Sequence, residues 1–319
     1  MTHDAVARMS NGRRPIVLCG SLGDGHVRAL RDRLRAAQRE PLVLDPQRFP
    51  GALRINLGEQ PDNISIDGIR IPRPAAVYVR SLYDSPAGYG VDADRDMKAD
   101  WRHTLIKFRE RSTLLSAMLY RWETAGVPAY NPLSIRHNIT KPFQMTLLSS
   151  AGLPVPRTLW SNDPDEVRRF AERGPVVYKP VAGGANTQML IESDLTPERL
   201  NKLSAAPVTF QELLPGDDFR VYVIDGRVVA ALRIITKALD FRQNEEAIEP
   251  VFLPDAVNAQ CIAAAKLLGL RYTGMDLKGD AHGTLRFLEL NPSAMFLGFD
   301  RMSGTDVGGE LVRALMSHG

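Results

Sequence analysis

Cysteine and histidine are both scarce in this chain of 319 residues. The two cysteines, Cys19 and Cys261, lie far apart and form no CxxC pair, and the six histidines show no metal-ligand spacing. This pattern argues against a disulfide framework and against a zinc site. It favours a protein of the reducing cytoplasm, which is the location that we expect.

Long apolar runs and a strong excess of one charge are also absent. No apolar run reaches the roughly 18 residues that suggest a membrane-spanning helix. The chain carries 40 basic and 37 acidic residues, for a formal net charge of +3, and so mild a balance does not by itself favour nucleic-acid binding. Neither a Ser/His/Asp nor a Cys/His motif is recognisable. We therefore expect no membrane partner, no nucleic-acid partner and no side-chain nucleophile.

The chain does contain enough apolar material for a large core, since 44% of its residues are hydrophobic. It opens with an apolar strand at 15–20, a helical repeat at 27–40 and a second strand at 41–45, and this β-α-β order predicts a small parallel sheet. The length suggests two or three domains. We expect an α/β fold with an N-terminal parallel domain, a central part and a C-terminal part, at 1–134, 135–207 and 208–319.

Local signals predict the elements inside these boundaries. Asp163 followed by Pro164 has the form of a helix cap and a first helical position. The pair Asp225-Gly226 predicts the turn of a hairpin over 219–235. Helical periodicity and stop signals predict four further helices, at 96–125, from near Thr140 to Gly152, at 255–268 and at 306–317.

Two carboxylates stand inside apolar runs near the end of the chain, where residues 272–292 read YTGMDLKGDAHGTLRFLELNP. These runs predict two adjacent antiparallel strands, on which Glu289 and Asn291 share a face by the period of two. Together with Asp276 they offer only oxygen ligands, which Mg²⁺ prefers. They predict a site for one or two Mg²⁺ ions, or Mn²⁺, that bridge phosphates. The alternative is a pair of solvent-facing carboxylates, which the apolar setting disfavours.

Two lysines stand where they can meet those phosphates. Lys179 ends the strand VVYKP, and the next loop, AGGANT, contains Gly183 and Gly184, whose backbone N–H groups can surround an anion. Lys141 lies at a predicted helix start. If the lysines converge, they can hold the phosphates of a nucleotide from two sides. The alternatives are a glycine-rich hairpin for the loop and an exposed surface position for Lys141.

The segment TFQELLPGDDFR supplies the remaining features of a nucleotide site. Its apolar strand exits into four residues whose backbone can pair with an adenine edge: Gln211, Glu212, Leu213 and Leu214. Asp217 or Asp218 can then meet a ribose hydroxyl.

Three arginines and one tyrosine complete the candidate residues. Arg220 and Arg233 lie in facing strands of the predicted hairpin, and arginines in half-buried strands need anionic partners; surface salt bridges are the alternative. Tyr78 and Arg80 end an apolar strand, a position where α/β sheets often contact ligands. We expect Arg80 to bind a substrate carboxylate.

From Lys141 to the end of the chain, the order of these motifs resembles that of the ATP-grasp ligases. The matching pieces are the two lysines with their small-residue loop, the QE hinge, the DFR arginine, the lone Asp276 and the ELNP motif. The resemblance implies a two-part ATP-grasp fold and ATP with Mg²⁺ as cofactors. It implies that a carboxylate attacks the γ-phosphate and that an amine or hydroxyl displaces phosphate from the acyl phosphate.

The N-terminal third is similar to that of the graspetide, or microviridin-type, ligases, which crosslink side chains of a ribosomal precursor peptide. The segments LVLDPQRFP, LRINL, ISIDG and AAVYVRSLY carry this resemblance. The segment LDFRQNEEA also resembles the FRxN segment of ribosomal-protein glutamate ligases, which makes Arg242 and Asn244 candidates near the phosphates. The expected partner is a precursor or other peptide, and an acidic one would fit a basic helix at 102–121 that could dock it; a solvated helix face is the alternative there.

The chain departs from the graspetide pattern in two places, a compact segment before the hinge and the sequence SAMFLGFDRMSG after ELNP. Two other functions therefore stay open. One is a ligase for small molecules of the glutathione-synthetase or glutamate-adding kind. The other is a nucleotide-binding scaffold without catalysis. A homodimer is possible, and the sequence does not decide it.

Overall fold

The computed structural model describes residues 13–82, 93–138, 140–183, 186–236 and 247–319. Its first part is built on a parallel sheet of four strands in the order β2-β1-β6-β7, beside a smaller antiparallel sheet, β3-β4-β5. The elements in chain order are β1 (Ile16–Cys19), α1 (Gly25–Ala36), β2 (Leu42–Leu44), β3 (Ile55–Leu57), β4 (Ile64–Ile66), β5 (Ile69–Arg70), β6 (Ala76–Val79), α2 (Ala93–Thr124) and β7 (Ala129–Tyr130). The parallel sheet confirms the prediction from the β-α-β opening.

The central part consists of two helices that precede a second, antiparallel sheet of four strands in the order β10-β9-β11-β8. Its elements are α3 (Leu133–Asn138), α4 (Lys141–Ser150), β8 (Thr158–Ser161), α5 (Pro164–Ala171), β9 (Val176–Pro180), β10 (Gln188–Met189), α6 (Pro197–Leu200) and β11 (Val208–Glu212). The predicted cap of α5 is confirmed, because the Asp163 carboxylate accepts hydrogen bonds from the backbone N–H groups of Asp165 and Glu166.

The last part is an antiparallel sheet of five strands in the order β14-β13-β12-β15-β16. Its elements are β12 (Asp218–Ile224), β13 (Arg227–Ile235), β14 (Ala247–Pro250), α7 (Asp255–Leu267), β15 (Tyr272–Gly279), β16 (Leu285–Asn291), α8 (Leu297–Ser303) and α9 (Val307–Met316). The predicted hairpin between β12 and β13 is confirmed. Its turn residues, Asp225 and Gly226, have φ of 43° and 72°, the left-handed values that such a two-residue turn needs.

The five-stranded sheet is covered on both faces. One face packs Val221, Val223 and Met275 against α4 and α7. The other packs Tyr222 and Tyr272 against α9, in one continuous core with α1 and the parallel sheet. The first and last parts of the chain therefore share apolar contacts.

In the described ranges the structure adds three short helices that the sequence patterns did not predict, α3, α6 and α8. They have six, four and seven residues, too few for helical periodicity to be read. The long helix α2 ends as predicted before Gly126, and its backbone leaves helical geometry at Asp100. Among the described residues, no helix is both long and apolar enough to span a bilayer.

Candidate active site

Strand register brings the three predicted metal ligands to one face of the C-terminal sheet. Asp276 on β15 lies directly opposite Glu289 on β16, and Gly274 lies opposite Asn291. On the other side of β15, Asp276 is paired with Arg220 of β12. Residues that face each other across antiparallel strands point to the same side. The prediction that Glu289 and Asn291 share a face therefore agrees with the observed register.

Cationic side chains balance the two carboxylates. Arg220 Nε lies 2.9 Å from Asp276 Oδ1, and Lys141 Nζ lies 2.9 Å from Glu289 Oε2. Burial by itself lowers the pKa of Arg220, but Asp276 and, to a smaller extent, Tyr222, Glu289 and Tyr272 together outweigh burial, and the pKa is raised. Arg220 has room because Gly274 lacks a side chain, since a Cβ there would lie 2.9 Å from Arg220 Nη1. The charged groups thus neutralise one another inside the fold.

The two predicted phosphate lysines reach the same space from different elements. Lys141 is the first residue of α4. Lys179, on β9, donates a hydrogen bond of 3.1 Å to Gln211 Oε1 on β11. Gly183 approaches Lys141 closely, since a Cβ on Gly183 would lie 2.9 Å from Lys141 Nζ. With φ at +86° this position favours glycine on conformational grounds as well.

The predicted hinge runs along the wall of this space. The Glu212 side chain accepts a 2.8 Å hydrogen bond from the backbone N–H of Arg157, and the backbone N–H of Leu213 donates to Pro175 O at 2.9 Å. Asp218, the candidate ribose ligand, is buried and forms a 2.5 Å ion pair with Lys278. These contacts hold the hinge and the start of β12 in fixed positions.

All these groups line one cleft of about 220 Å³ between the central and C-terminal sheets. The predicted residues that it brings together are Lys141, Lys179, Gly183, Gln211, Glu212, Leu213, Leu214, Asp218, Arg220, Asp276, Glu289 and Asn291. A cleft that combines apolar walls with a few convergent charged groups is the usual form of a ligand site.

Other predicted residues lie elsewhere. Arg233 faces Phe219 across the hairpin, on the face opposite Arg220, and pairs with Asp217 at 2.8 Å. Arg242, Asn244 and Gly184 lie outside the described residues. The catalytic assignments of these arginines and of Asn244 stay predictions.

The two candidate substrate residues occupy the parallel sheet. Tyr78 is fully buried, and burial raises the pKa of its phenol to about 12. Arg80 forms a 2.8 Å ion pair with Asp24 and donates hydrogen bonds to Ser293. Neither contact tests binding of a substrate, so this assignment also stays a prediction.

The sequence patterns missed one residue of the cleft lining, Lys278, and one buried residue that holds the chain next to the ELNP motif, Asn131. Lys278 follows Asp276 by two residues on β15, so the strand period could have placed it in the cleft. Asn131 is buried: its Nδ2 donates to Tyr272 O and Pro292 O at 2.5 and 2.6 Å, and its Oδ1 accepts from Tyr272 N at 3.0 Å. No local pattern marks such a residue, because its partners are more than a hundred positions away.

The three predicted metal ligands fit a hard cation whose remaining ligands are water or phosphate oxygens. Asp276, Glu289 and Asn291 present two carboxylates and one amide, all oxygen donors as Mg²⁺ prefers. Within the described ranges no group of three or more His, Cys, Asp or Glu side chains could hold a metal. A Mg²⁺ ion usually keeps several waters and nucleotide phosphates in its shell and takes only one or two protein carboxylates, which is the number present here.

Comparisons with known proteins agree with this geometry. A family model described as a RimK-like ATP-grasp domain matches residues 140–315, more than half of the chain. A probable alpha-L-glutamate ligase of Thioalkalivibrio sulfidiphilus is 30% identical over 211 residues, or 62% of this chain and 70% of that protein. One solved structure shows the ATP-grasp ligase PsnB complexed with a phosphomimetic variant of minimal precursor, Mg and ADP. Its sequence is 57% identical to this chain, and the two structures superpose with a TM-score of 0.91 over 96% of this chain and 98% of PsnB.

More distant structures share the architecture. One is the macrocyclase MdnC from Microcystis aeruginosa, bound with precursor peptide MdnA, which is 21% identical to this chain. Its TM-score is 0.79 over 95% of this chain and all of MdnC. At this identity the likeness supports the fold alone. The predicted ATP-grasp resemblance is thus confirmed by the matched domain and by PsnB. The chain belongs to the RimK-like ATP-grasp ligase family.

Proposed function

We propose that this chain is an ATP- and Mg²⁺-dependent ligase that crosslinks side chains of a ribosomal precursor peptide. One observation carries the proposal: the cleft residues converge as an ATP-grasp site requires, in a chain that is 57% identical over 96% of its length to PsnB, a ligase solved with its minimal precursor. The joined groups are a carboxylate, activated as an acyl phosphate, and an amine or hydroxyl. A cytoplasmic location belongs to the proposal, and so does a peptide that carries acidic residues.

The residues along the cleft contact different parts of the nucleotide. Gln211 to Leu214 present the hinge to the adenine, and Asp218, held by Lys278, faces the ribose. Lys141 and Lys179 take the phosphates, while Arg220 neutralises charge that develops on the transferred group. The reaction needs positioning and charge neutralisation more than a covalent nucleophile.

Asp276, Glu289 and Asn291 are the residues that would hold Mg²⁺. When bound, the ion would neutralise negative charge on the phosphates. In the structure Lys141 forms an ion pair with Glu289, and Arg220 forms one with Asp276. With a nucleotide bound, Lys141 would have a phosphate as its partner and Glu289 would be available to the cation.

The second candidate is a ligase that adds an amino acid such as glutamate. The 30% identity to the Thioalkalivibrio protein favours it. We rank this function second, because the sequence identity to the glutamate ligase is lower than that to PsnB and covers less of this chain. Activity on free glutamate without any peptide would select this second function.

The deciding experiment incubates the chain with Mg-ATP and an acidic precursor peptide encoded beside its gene. We expect ADP release together with a loss of about 18 Da, one water, for every ester or amide formed through an acyl phosphate. AMP instead of ADP would reject the ATP-grasp mechanism.

A double variant, Glu289→Gln with Asn291→Ala, should abolish both ADP release and the mass loss. The matched control is Glu249→Gln, which changes an exposed glutamate on β14 of the same sheet. Unchanged turnover in the double variant would remove the metal assignment.

A further inference from the structure

Arg80 and Ser293 bind each other reciprocally, although 213 residues separate them. Arg80 follows β6 of the parallel sheet. Its Nη1 donates to Ser293 O at 2.5 Å and to Ser293 Oγ at 3.2 Å, while Ser293 Oγ donates to Arg80 O at 2.6 Å. The N-terminal part of the chain therefore holds the residue that comes directly after the ELNP motif.

The same residue fixes the orientation of a candidate metal ligand. Ser293 N donates to Asn291 Oδ1 at 3.1 Å. An amide oxygen has two lone pairs, so one can accept this hydrogen bond while the other remains for a cation. Because Asn291 lines the cleft, the position of Ser293 determines how the amide oxygen faces it.

A histidine supports the next turn of the chain. His26 Nε2 accepts hydrogen bonds from the backbone N–H groups of Phe296 at 3.1 Å and Leu297 at 3.5 Å. Its Nδ1 lies 3.0 Å from Asp24 Oδ1, an arrangement that assigns the ring proton to Nδ1. The ring also packs edge-on against Phe296, with centroids 4.8 Å apart.

Asp24 joins the two contacts into one network. Its Oδ2 accepts a hydrogen bond from Arg80 Nε at 2.8 Å, while its Oδ1 lies within hydrogen-bond distance of His26 Nδ1. The three side chains are largely buried, with 24% of Asp24, 14% of Arg80 and 12% of His26 exposed. Two donor directions of the Arg80 guanidinium are thus occupied by protein partners, which leaves less of the group for a substrate.

We propose that Asp24, His26 and Arg80 are positioning residues for the metal site. They hold the segment Ser293–Leu297 so that Asn291 presents its amide oxygen to the cation. This inference rests on the proposed function, because it needs a nucleotide-bound metal at Asp276, Glu289 and Asn291. It assigns Arg80 to the enzyme's own metal site instead of the substrate carboxylate.

The test measures metal–nucleotide binding without peptide and without turnover. Mn²⁺ is titrated into the chain in the presence of ADP and followed by electron paramagnetic resonance. We expect Arg80→Met and His26→Leu to weaken Mn²⁺ binding about tenfold, the lower end of the effect of residues that orient metal ligands. His26→Gln, which keeps an acceptor near the Nε2 position, should restore most of the affinity.

Steady-state kinetics separate positioning from direct substrate binding. At saturating ATP, the Mg²⁺ concentration for half-maximal activity should rise in Arg80→Met while KM for the peptide stays within about twofold, because only the orientation of a metal ligand changes. A raised peptide KM with unchanged Mg²⁺ dependence would overturn the inference and restore Arg80 as a substrate ligand.

Controls address folding and the parent proposal. Arg73→Met removes an exposed arginine that pairs with Asp62 and should leave Mn²⁺ binding unchanged. If Arg80→Met does not fold, Ser293→Ala removes only the hydroxyl and should weaken Mn²⁺ binding about fivefold, as expected for one hydrogen bond. A wild-type chain that binds no Mn²⁺ with ADP overturns the proposed function; wild-type binding with unchanged variants overturns this inference alone.

Discussion

The two arginines on the β12–β13 hairpin each pair with an aspartate at nearly the same distance, but the two pairs differ in burial and in the face of the sheet on which they lie. Arg220 and Asp276 lie 2.9 Å apart with 8% and 18% of their side chains exposed, whereas Arg233 and Asp217 lie 2.8 Å apart with 45% and 53% exposed. The first pair lines the cleft and the second lies on the opposite face. Contact distance alone therefore does not identify a functional pair. Burial and strand face distinguish the two pairs, and they favour the buried pair in the cleft as the candidate functional one.

The largest effect is expected from Arg220→Met. Removing one partner of a buried pair leaves Asp276 without its neighbour, so we expect the free energy of unfolding to fall by about 3 kcal/mol. Loss of a charge that stabilises the transferred group should lower kcat at least ~100-fold. Chemical denaturation and ADP release measure the two effects. A kcat within a few fold of wild type would show that burial does not mark the catalytic arginine.

Asp276→Asn should have the next largest effect, with Asp217→Asn as its matched control. The amide keeps the shape but removes the charge that Mg²⁺ needs, so ATP turnover should fall by about 100-fold and recover in part at high Mg²⁺. Turnover as a function of Mg²⁺ concentration measures this. If Asp217→Asn lost as much activity as Asp276→Asn, the difference between the two faces would have no functional meaning.

Lys141→Met tests the proposal that Lys141, which pairs with Glu289, contacts a phosphate when a nucleotide is bound. We expect KM for ATP to rise about tenfold, the value of one partly exposed charge contact, with a smaller change in unfolding free energy. Lys266→Met, on the exposed side of α7, is the control. An unaltered KM would leave Lys141 as a partner of Glu289 alone.

A third pair, Arg80–Asp24, has intermediate burial and gives a pH test. Burial alone would raise the pKa of Asp24, but hydrogen bonds from His26 and Arg80 outweigh burial and lower the pKa below its usual value. A carboxyl with a lowered folded-state pKa stabilises the fold above its unfolded pKa of about 3.9, and the contribution disappears as the pH falls below that value. The gap in unfolding free energy between wild type and Asp24→Asn should therefore be full at pH 6 and shrink below about pH 4. A gap that does not change with pH would contradict the charged contact.

Arg233→Met is expected to have the smallest effect. An exposed ion pair contributes less than about 1 kcal/mol, so unfolding free energy should hardly change. The effect of Arg233→Met on kcat distinguishes two opposed expectations. The order of motifs predicts a catalytic arginine here, while the observed face predicts kcat within about threefold of wild type, because the side chain does not reach the cleft. Kinetics of this variant and Arg220→Met, measured together, separate the two.

Sequence patterns predicted the fold where the signal was local or periodic. The parallel opening, the Asp163 cap, the Asp225-Gly226 hairpin and the shared face of Glu289 and Asn291 are all confirmed. These features depend on residues that are close in the sequence or on a strand period of two, so the sequence alone is enough to predict them.

What the sequence could not supply depends on contacts between distant segments. It placed Arg220 and Arg233 in facing strands, but only the register shows that Arg233 faces Phe219 and lies on the other side. It predicted Arg80 as a substrate ligand, while the contacts with Asp24 and Ser293 appear only in three dimensions. Asn131 gave no signal because its hydrogen bonds connect segments that are remote in the chain.

The ion pairs of the cleft have a consequence for how a nucleotide enters it. In the described lining, four cationic side chains, Lys141, Lys179, Arg220 and Lys278, accompany four anionic ones, Glu212, Asp218, Asp276 and Glu289. Because these charges sum to zero, the lining adds no net attraction of its own for free ATP, and only its individual lysines and arginine attract the phosphates at short range. Salt screens such short-range contacts little, so the contribution of the lining to the association rate should depend little on ionic strength.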